Sequence, residues 1–194
     1  TGQIAEFAHG HLGSIFYHRE DLNGAEHHFR EAIAIKPNDS RYLYNLGVIL
    51  LKKKNMEEAV SFFQKALDAG ATDPQIYRFI SESFAELKMF DNAITALEKG
   101  LRIRPDDVDT LLQLADLYYE RGNLSQAEDT FRKVIRITPG DSNTETALVN
   151  LGIIMDDMER FGEAVVEFEK AIALNPKNEN AYYNLGIAYK NAGQ

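Results

Sequence analysis

The sequence predicts an all-α fold built from repeated pairs of helices, and three observations support this class. The first is a period of 34 residues, which appears when the small residues along the chain are aligned. The second is that apolar positions within each unit are three and four residues apart, as on one face of a helix. The third is the proline that closes four of the units, at Pro37, Pro105, Pro139 and Pro176, where it ends the preceding helix.

Each unit combines a small residue in its first helix with an alanine and a large apolar residue in its second. The small residues are Gly13, Gly47, Ser81, Ala115, Gly152 and Gly186. Twelve residues later the five complete units have Ala25, Ala59, Ala93, Ala127 and Ala164, followed after four more by Phe29, Phe63, Leu97, Phe131 and Phe168. Small residues let two helices approach closely and large ones fill the space between them, so this pattern predicts the packing of helix A on helix B.

We expect five complete units followed by a partial one. Their ranges are about 6–39, 40–73, 74–107, 108–141, 145–178 and 179–194. In the second unit, helix A is expected from about Arg41 to Lys53 and helix B from about Met56 to Ala69. The polar residues 38–40 precede that helix A and have side chains suited to capping it.

Two departures from the regular pattern affect where helices are expected to begin and end. Three extra residues precede the fifth unit, where Ser142 and Glu145 form a capping-box pattern that predicts a helix start about one turn early. The chain then ends at Gln194, where a second helix of the last unit is expected. We therefore expect the sequence to be part of a longer protein, with Leu185 and Tyr189 exposing an apolar stripe through which copies self-associate.

These residues resemble the motif of the tetratricopeptide repeat (TPR) family, which carries the same small, aromatic, alanine and proline positions at the same spacing. The resemblance covers nearly the whole chain. It implies a right-handed α-α superhelical solenoid, a single array over 1–194, in which helix A of every unit lines a concave groove. It also implies a function, which is to bind a peptide segment or a partner subunit in that groove.

The resemblance assigns groove residues to fixed positions of each helix A. Those expected to contact a ligand are Arg41, Tyr44, Asn45, Val48, Arg78, Phe79, Glu82, Glu86, Asp109, Gln113, Asp116, Tyr119, Glu120, Asn150, Ile153, Asp156 and Asn184, and the same positions in the first unit include Ser14, Tyr17 and His18. One TPR subtype grips a C-terminal carboxylate with lysine, asparagine and arginine side chains, but here only Asn45 fits that pattern. The asparagines could instead hydrogen-bond an extended peptide backbone, although asparagine is also common at such positions.

Charge divides the groove into two parts. In the first two units it contains Arg41, Lys52 and two histidines without any acid, whereas in units three to five seven acids accompany Arg78 alone. Acids on a concave wall attract cations, and apolar groove residues such as Leu51 and Val149 are expected to hold the side chains of a bound segment. The pattern predicts a partner with a basic segment, unless the acids serve only solubility.

The composition excludes several other classes of function. A net charge of −9 argues against nucleic acid as a partner, because such binding depends on clustered lysine and arginine. The absence of cysteine leaves the cellular compartment open, and no apolar run approaches the length of a membrane span. Catalytic motifs are absent, and His11 and His18 lie too far apart on one helix to share a metal ion. We therefore expect no metal, no cofactor and no enzymatic activity.

Three functions remain. The leading interpretation is a non-enzymatic scaffold for protein–protein interaction. A second is the substrate-recruiting arm of a larger enzyme, such as a glycosyltransferase, and a third is a self-associating assembly protein whose arrays stack end to end. The full-length gene sequence would separate the first two, and light scattering at several protein concentrations would test the third.

Overall fold

The computed structural model describes residues 2–193, which form eleven α-helices and, within that range, no strand. In chain order the helices are α1 (Gly2–His18), α2 (Leu22–Ile35), α3 (Ser40–Lys52), α4 (Met56–Asp68), α5 (Gln75–Glu86), α6 (Phe90–Ile103), α7 (Val108–Glu120), α8 (Leu124–Ile137), α9 (Ser142–Asp157), α10 (Phe161–Leu174) and α11 (Glu179–Asn191). The predicted all-α fold class is confirmed. No helix of this part of the chain is both long and apolar enough to cross a membrane.

The chain divides into two compact parts, Thr1–Ile103 and Arg104–Gln194. We call them unit 1 and unit 2, and each contains several of the 34-residue repeats described above. Unit 1 contains α1 to α6, and unit 2 contains α7 to α11. The odd-numbered helices are the first helix, or helix A, of each pair, and the even-numbered helices are helix B. Within each unit, helix A packs on its own helix B, and helix B packs on the next helix A.

A glycine and a phenylalanine set the close approach of the helices in three of these pairs, one of which joins Gly13 on α1 to Phe29 on α2. In unit 1, Leu46 and Phe63 are completely buried, and a Cβ added to Gly47 would lie 2.7 Å from the Phe63 ring. Unit 2 repeats this arrangement with Gly152 and Phe168, where the added Cβ would lie 2.6 Å from the ring. Cβ atoms essentially never approach other atoms to under 3.0 Å, so glycine is what allows these helices to pack.

Polar side chains begin several of the A helices. The Asp39 carboxylate accepts a hydrogen bond from the backbone amide of Arg41 at the start of α3. Asp107 and Asn178 accept equivalent bonds at the starts of α7 and α11. These caps satisfy amide groups that have no partner inside the helix, so the turn between two helix pairs is defined by the sequence itself.

Helix α9 starts early, as predicted, but its cap is not the predicted one. It spans 16 residues, whereas α7 spans 13. The cap is Asp141, whose carboxylate accepts hydrogen bonds from the backbone amides of Asn143 and Thr144. The prediction of Ser142 was wrong because the aspartate one residue earlier supplies a charged acceptor, which the positive end of the helix dipole favours.

At α11 the predicted apolar stripe is not exposed. Leu185 and Tyr189 are half-buried because α11 packs on α10 and α9, and the Tyr189 hydroxyl donates a hydrogen bond to Glu169. The exposed aromatic residues of this helix are Tyr182 and Tyr183, at 50% and 71% of their full surface. The apolar surface that α11 offers is therefore the surface of these two tyrosines.

Candidate functional site

The residues predicted to contact a ligand lie on the accessible surface of the A helices. We call this surface the A-face, formed in unit 1 by α1, α3 and α5 and in unit 2 by α7, α9 and α11. Each of the seventeen residues is exposed or half-buried, and none of them is buried. Leu51 and Val149 were also expected to line the groove, but both are buried among neighbouring helices. They contribute to the core and cannot hold the side chains of a ligand.

The A-face of unit 1 contains a pocket with mostly aromatic walls. Its volume is about 300 Å³, and it is lined by Ser14, Tyr17, His18, Phe29, Tyr44, Asn45, Val48 and Phe79. The structure thus brings together predicted residues from α1, α3 and α5. The sequence pattern assigns Phe29 to the core, and this residue also forms part of the pocket wall although it is almost completely buried.

The aromatic side chains that line this pocket pack on the buried ring of Phe63. The rings of Phe79 and Phe63 are stacked at a centroid distance of 5.6 Å, and Tyr44 lies 6.0 Å from Phe79 and 6.1 Å from Phe63. Burial raises the pKa of the Tyr44 hydroxyl above its ordinary value. Because Phe63 is fixed in the core, the three rings form a wall that exists before any ligand binds.

Two cationic residues predicted on this face differ in their surroundings. The Arg41 guanidinium binds the Asp39 carboxylate, with distances of 2.8 Å from Nη2 to Oδ2 and 3.0 Å from Nε to Oδ1. This contact holds the pKa of Asp39 well below its ordinary value. The Lys52 ammonium instead lies over the ring of Tyr17, 5.4 Å from its centroid. Arg41 therefore stabilises the start of α3, whereas Lys52 lies beside the pocket.

A row of hydrogen bonds joins the A helices of unit 2. The Asn150 amide donates to Asp116 Oδ1 at 3.4 Å, linking α9 to α7, and the Tyr119 hydroxyl donates to Asp157 Oδ2 at 2.7 Å. The same pattern continues to α11, where the Asn191 amide donates to Asp156 Oδ2 at 2.9 Å. Three of the predicted acids and tyrosines thus also hold neighbouring A helices together.

Within the described residues the carboxylates in this row form no ion pair, and α11 contributes one cation to this face, Lys190. Their donors are neutral amides and a phenol, and neither α7 nor α9 contains a lysine or an arginine. On the B helices the situation differs, since Glu128 forms ion pairs of 2.7 Å with both Arg132 and Arg160. The A helices of unit 2 therefore carry an excess of acids, with Lys190 as their one cation, whereas Glu128 on α8 is paired with two arginines.

Two groups on this face, Asp116 and Tyr119, have raised pKa values. The pKa of Asp116 is raised, first because protein atoms around the wall displace bulk water although the side chain stays accessible, and then because Glu120 repels a second negative charge. The hydrogen bond from Tyr119 to Asp157 raises the pKa of Tyr119 to about 12. The contributions of Glu120 to the pKa of Asp116 and of Asp157 to the pKa of Tyr119 have the sign expected beside negative charge.

In two of the three asparagines predicted to bind a peptide backbone, the side-chain amide already donates a hydrogen bond within the protein. The Asn184 amide donates to the backbone oxygen of Asn180 in its own helix, and the Asn150 amide donates to Asp116. Among residues 2–193, the side chain of Asn45 makes no hydrogen bond of this kind. Asn45 therefore has its amide available at the edge of the unit 1 pocket.

Two of the five histidines contact each other through their rings. His9 Nδ1 and His28 Nδ1 are 3.0 Å apart, so one ring donates a hydrogen bond to the other. Within the described residues, no group of three or more histidine and acidic side chains has an arrangement that could hold a metal ion.

Comparison with family models assigns most of the chain. Residues 11–74 and 84–150 each match a model described as tetratricopeptide repeat, and residues 157–193 match one described as TPR repeat. No curated protein matches the sequence.

Several solved structures share the fold. A TPR protein from Parabacteroides merdae superposes with a TM-score of 0.83 at 20% identity, covering 97% of this chain and 74% of that one. MamA superposes with a TM-score of 0.82 at 21% identity, over 89% of this chain and 93% of that one. YrrB, described as a TPR protein with an unusual peptide-binding site, gives a TM-score of 0.77 at 20% identity, over 90% and 89%.

Likeness at this level of identity shows the fold alone, but the family models match the sequence itself. They cover residues in both units, and the helix pairs, the glycine contacts and the capped turns agree with them. The chain belongs to the tetratricopeptide repeat family.

Proposed function

We propose that this TPR protein is a non-enzymatic interaction scaffold that binds a basic segment of a partner protein on the A-face of unit 2. TPR proteins serve in general as scaffolds for protein interaction, and the proposal adds the chemistry of the ligand. The observation that carries it is the set of carboxylates on α7 and α9, in helices without lysine or arginine. Among them, Asp116, Asp156 and Asp157 accept hydrogen bonds from neutral donors, and Lys190 is the one cation on the A helices of unit 2, so an excess of negative charge remains for a ligand to neutralise.

Apolar surface beside the acids adds to the case. Ile153 and Tyr119 line a small cavity of about 60 Å³ next to Asp116 and Asn150. A segment that alternates lysine or arginine with small apolar side chains would satisfy both features. The negative potential of the clustered acids would raise the local concentration of such a segment and increase its association rate. The peptide-binding site for which YrrB is described makes a peptide a reasonable ligand class for this fold.

The proposal is tested with a synthetic peptide of alternating lysine and leucine residues, and with a matched peptide in which glutamate replaces lysine. We expect the lysine peptide to bind unit 2 with an affinity that falls as salt rises, because exposed charges are screened over roughly 10 Å at 0.1 M salt. The glutamate peptide should not bind this surface, so any binding it shows should not respond to substitution of Asp116 and Glu120. The double variant Asp116→Asn and Glu120→Gln is expected to weaken binding mainly through a slower association rate.

A matched control removes two exposed acids away from this surface, Asp129 on α8 and Glu159 in the turn after α9. The variant Asp129→Asn with Glu159→Gln changes the net charge by the same amount, so it separates local from global electrostatics. Equal effects of the two double variants, or binding that does not respond to salt, would contradict the proposal.

A further inference from the structure

We infer that the pocket on the A-face of unit 1 binds an apolar side chain, aliphatic or aromatic, from an extended segment that carries a carboxylate next to that anchor. The inference rests on the proposed function, since it also places a peptide segment on an A-face. It concerns a different surface, however, and a ligand of opposite charge.

The shape and the walls of the pocket define the anchor. Tyr17, Tyr44, Phe79 and Val48 present mostly carbon atoms to a space of about 300 Å³, and the rings are held by the buried Phe63. A preformed apolar cavity favours a side chain that can fill it without losing hydrogen bonds. Asn45 at its edge has an amide that can pair with the backbone of the segment on either side of the anchor.

Aromatic walls can also attract a cation, but the surroundings of this pocket oppose one. None of the lining residues is an acid. The Lys52 ammonium already lies over the ring of Tyr17, and a second cation there would be repelled. The acids of this A-face, Glu82 and Glu86, belong to α5, and Asp73 in the turn before α5 acts on Tyr44 from outside the pocket lining, whereas α3 contains neither aspartate nor glutamate. The anchor is therefore uncharged.

Lys52 defines the residue next to the anchor. It is exposed, and within the described residues it forms no ion pair. The adjacent Lys53 provides the contrast, since its ammonium binds the Glu26 carboxylate at 2.6 Å. A carboxylate on the ligand would meet the Lys52 ammonium at the rim of the pocket, as charge complementarity requires.

The test is a selection of random peptides displayed on phage against the whole chain, followed by affinity measurements on the enriched sequences. We expect one enriched class to combine leucine, phenylalanine or methionine with an adjacent aspartate or glutamate. Val48→Phe, which fills the pocket, is expected to weaken the binding of that class about tenfold or more, as loss of a buried apolar side chain predicts. Lys52→Glu is expected to weaken it about threefold, in line with the strength of an exposed ion pair.

Lys54→Glu is the matched control, because Lys54 is exposed two residues away and does not line the pocket. It should leave the affinity unchanged. If Val48→Phe unfolds the protein, Lys52→Glu still decides, since it changes only an exposed side chain. Enriched peptides that carry lysine or arginine and respond to Asp116→Asn with Glu120→Gln would overturn this inference while supporting the function proposed for unit 2. A library from which no peptide is enriched would overturn both.

Discussion

The A-faces of the two units differ in chemical character, although equivalent positions of the repeated helix pairs form them. Unit 1 presents an aromatic pocket beside Lys52, and unit 2 presents carboxylates bonded to neutral donors. The residues between the helices show no such difference, since Gly47 with Phe63 and Gly152 with Phe168 make nearly identical contacts. The comparison indicates that the repeat determines where a side chain lies, and that the accessible positions determine what it can bind.

The largest effect is expected where the two units are most alike. Leu46 in unit 1 and Leu151 in unit 2 both precede the glycine of helix A, and at most 1% of either side chain is exposed. Each substitution to alanine should cost about 2–5 kcal/mol of unfolding free energy, because it leaves a cavity in a closely packed interior. Chemical denaturation followed by circular dichroism measures the loss.

Leu185→Ala is the control at the same position of α11, where the side chain is only half-buried and the loss should be smaller. A cost below roughly 0.5 kcal/mol at Leu46, outside the usual range for a core residue, would show that the helix pairs do not pack as described. Very different costs at Leu46 and Leu151 would show that the cores of the two units are not equivalent.

A smaller effect should distinguish the units through a hydrogen bond that each makes between A helices. In unit 1 the Tyr42 hydroxyl donates to Glu6 at 2.6 Å, and these residues are only 6% and 3% exposed. Burial and this bond raise the pKa of Tyr42 to about 12. Tyr42→Phe removes the only side-chain donor described for a buried carboxylate, so the unfolding free energy should fall by about 1–3 kcal/mol.

Tyr119→Phe provides the matched change in unit 2. Its bond to Asp157 is exposed, and water can replace the lost donor. The expected loss is therefore no more than about 1 kcal/mol in the same denaturation experiment. A loss at Tyr119 as large as that at Tyr42 would mean that the A-face of unit 2 is less open to solvent than its exposed acids indicate.

Much of the fold could be predicted from the sequence because core packing repeats. Every complete repeat places a small residue opposite a large one, so five copies of the pattern identify the helix pairs. The cap of α9 was harder to predict, since Asp141 and Ser142 are both good capping residues and only the local backbone decides between them. The burial of Leu51 and Val149 depends on contacts between successive helices, which a pattern within one unit does not describe.

The sequence indicates on which face the candidate site residues lie, but not which of their side chains are paired with neighbours. Tyr44, Asn45, Val48 and Phe79 could be assigned to one face through the resemblance to the TPR motif, and in the structure they line one pocket. Spacing does not show that the Arg41 guanidinium is engaged by Asp39. These pairings depend on side-chain geometry in three dimensions, and they decide which charges remain for a ligand.

The smallest predicted effect is a difference in how the two units respond to pH. All histidines of the chain lie in the first 28 residues, and the hydrogen bond between His9 and His28 joins α1 and α2. Burial lowers the pKa of His28 below its ordinary value of 6.5, and the nearby His27 and His9 lower it further against the opposing effect of Glu31. The unfolded chain therefore takes up a proton at this residue more readily than the folded chain.

It follows that the stabilisation from this pair is fully present above about pH 6.5 and is lost as the pH falls toward the lower pKa of the folded state. The loss should be at most about 1 kcal/mol, the size of one partly exposed hydrogen bond. Amide hydrogen exchange, corrected for the intrinsic rate at each pH, should show faster opening of α1 and α2 before the carboxylates titrate. Helices α7 and α8 should not change over that interval, because unit 2 has no histidine. His28→Gln should remove the dependence in unit 1, and a pH response that persists in this variant or appears equally in α7 and α8 would assign it to other groups.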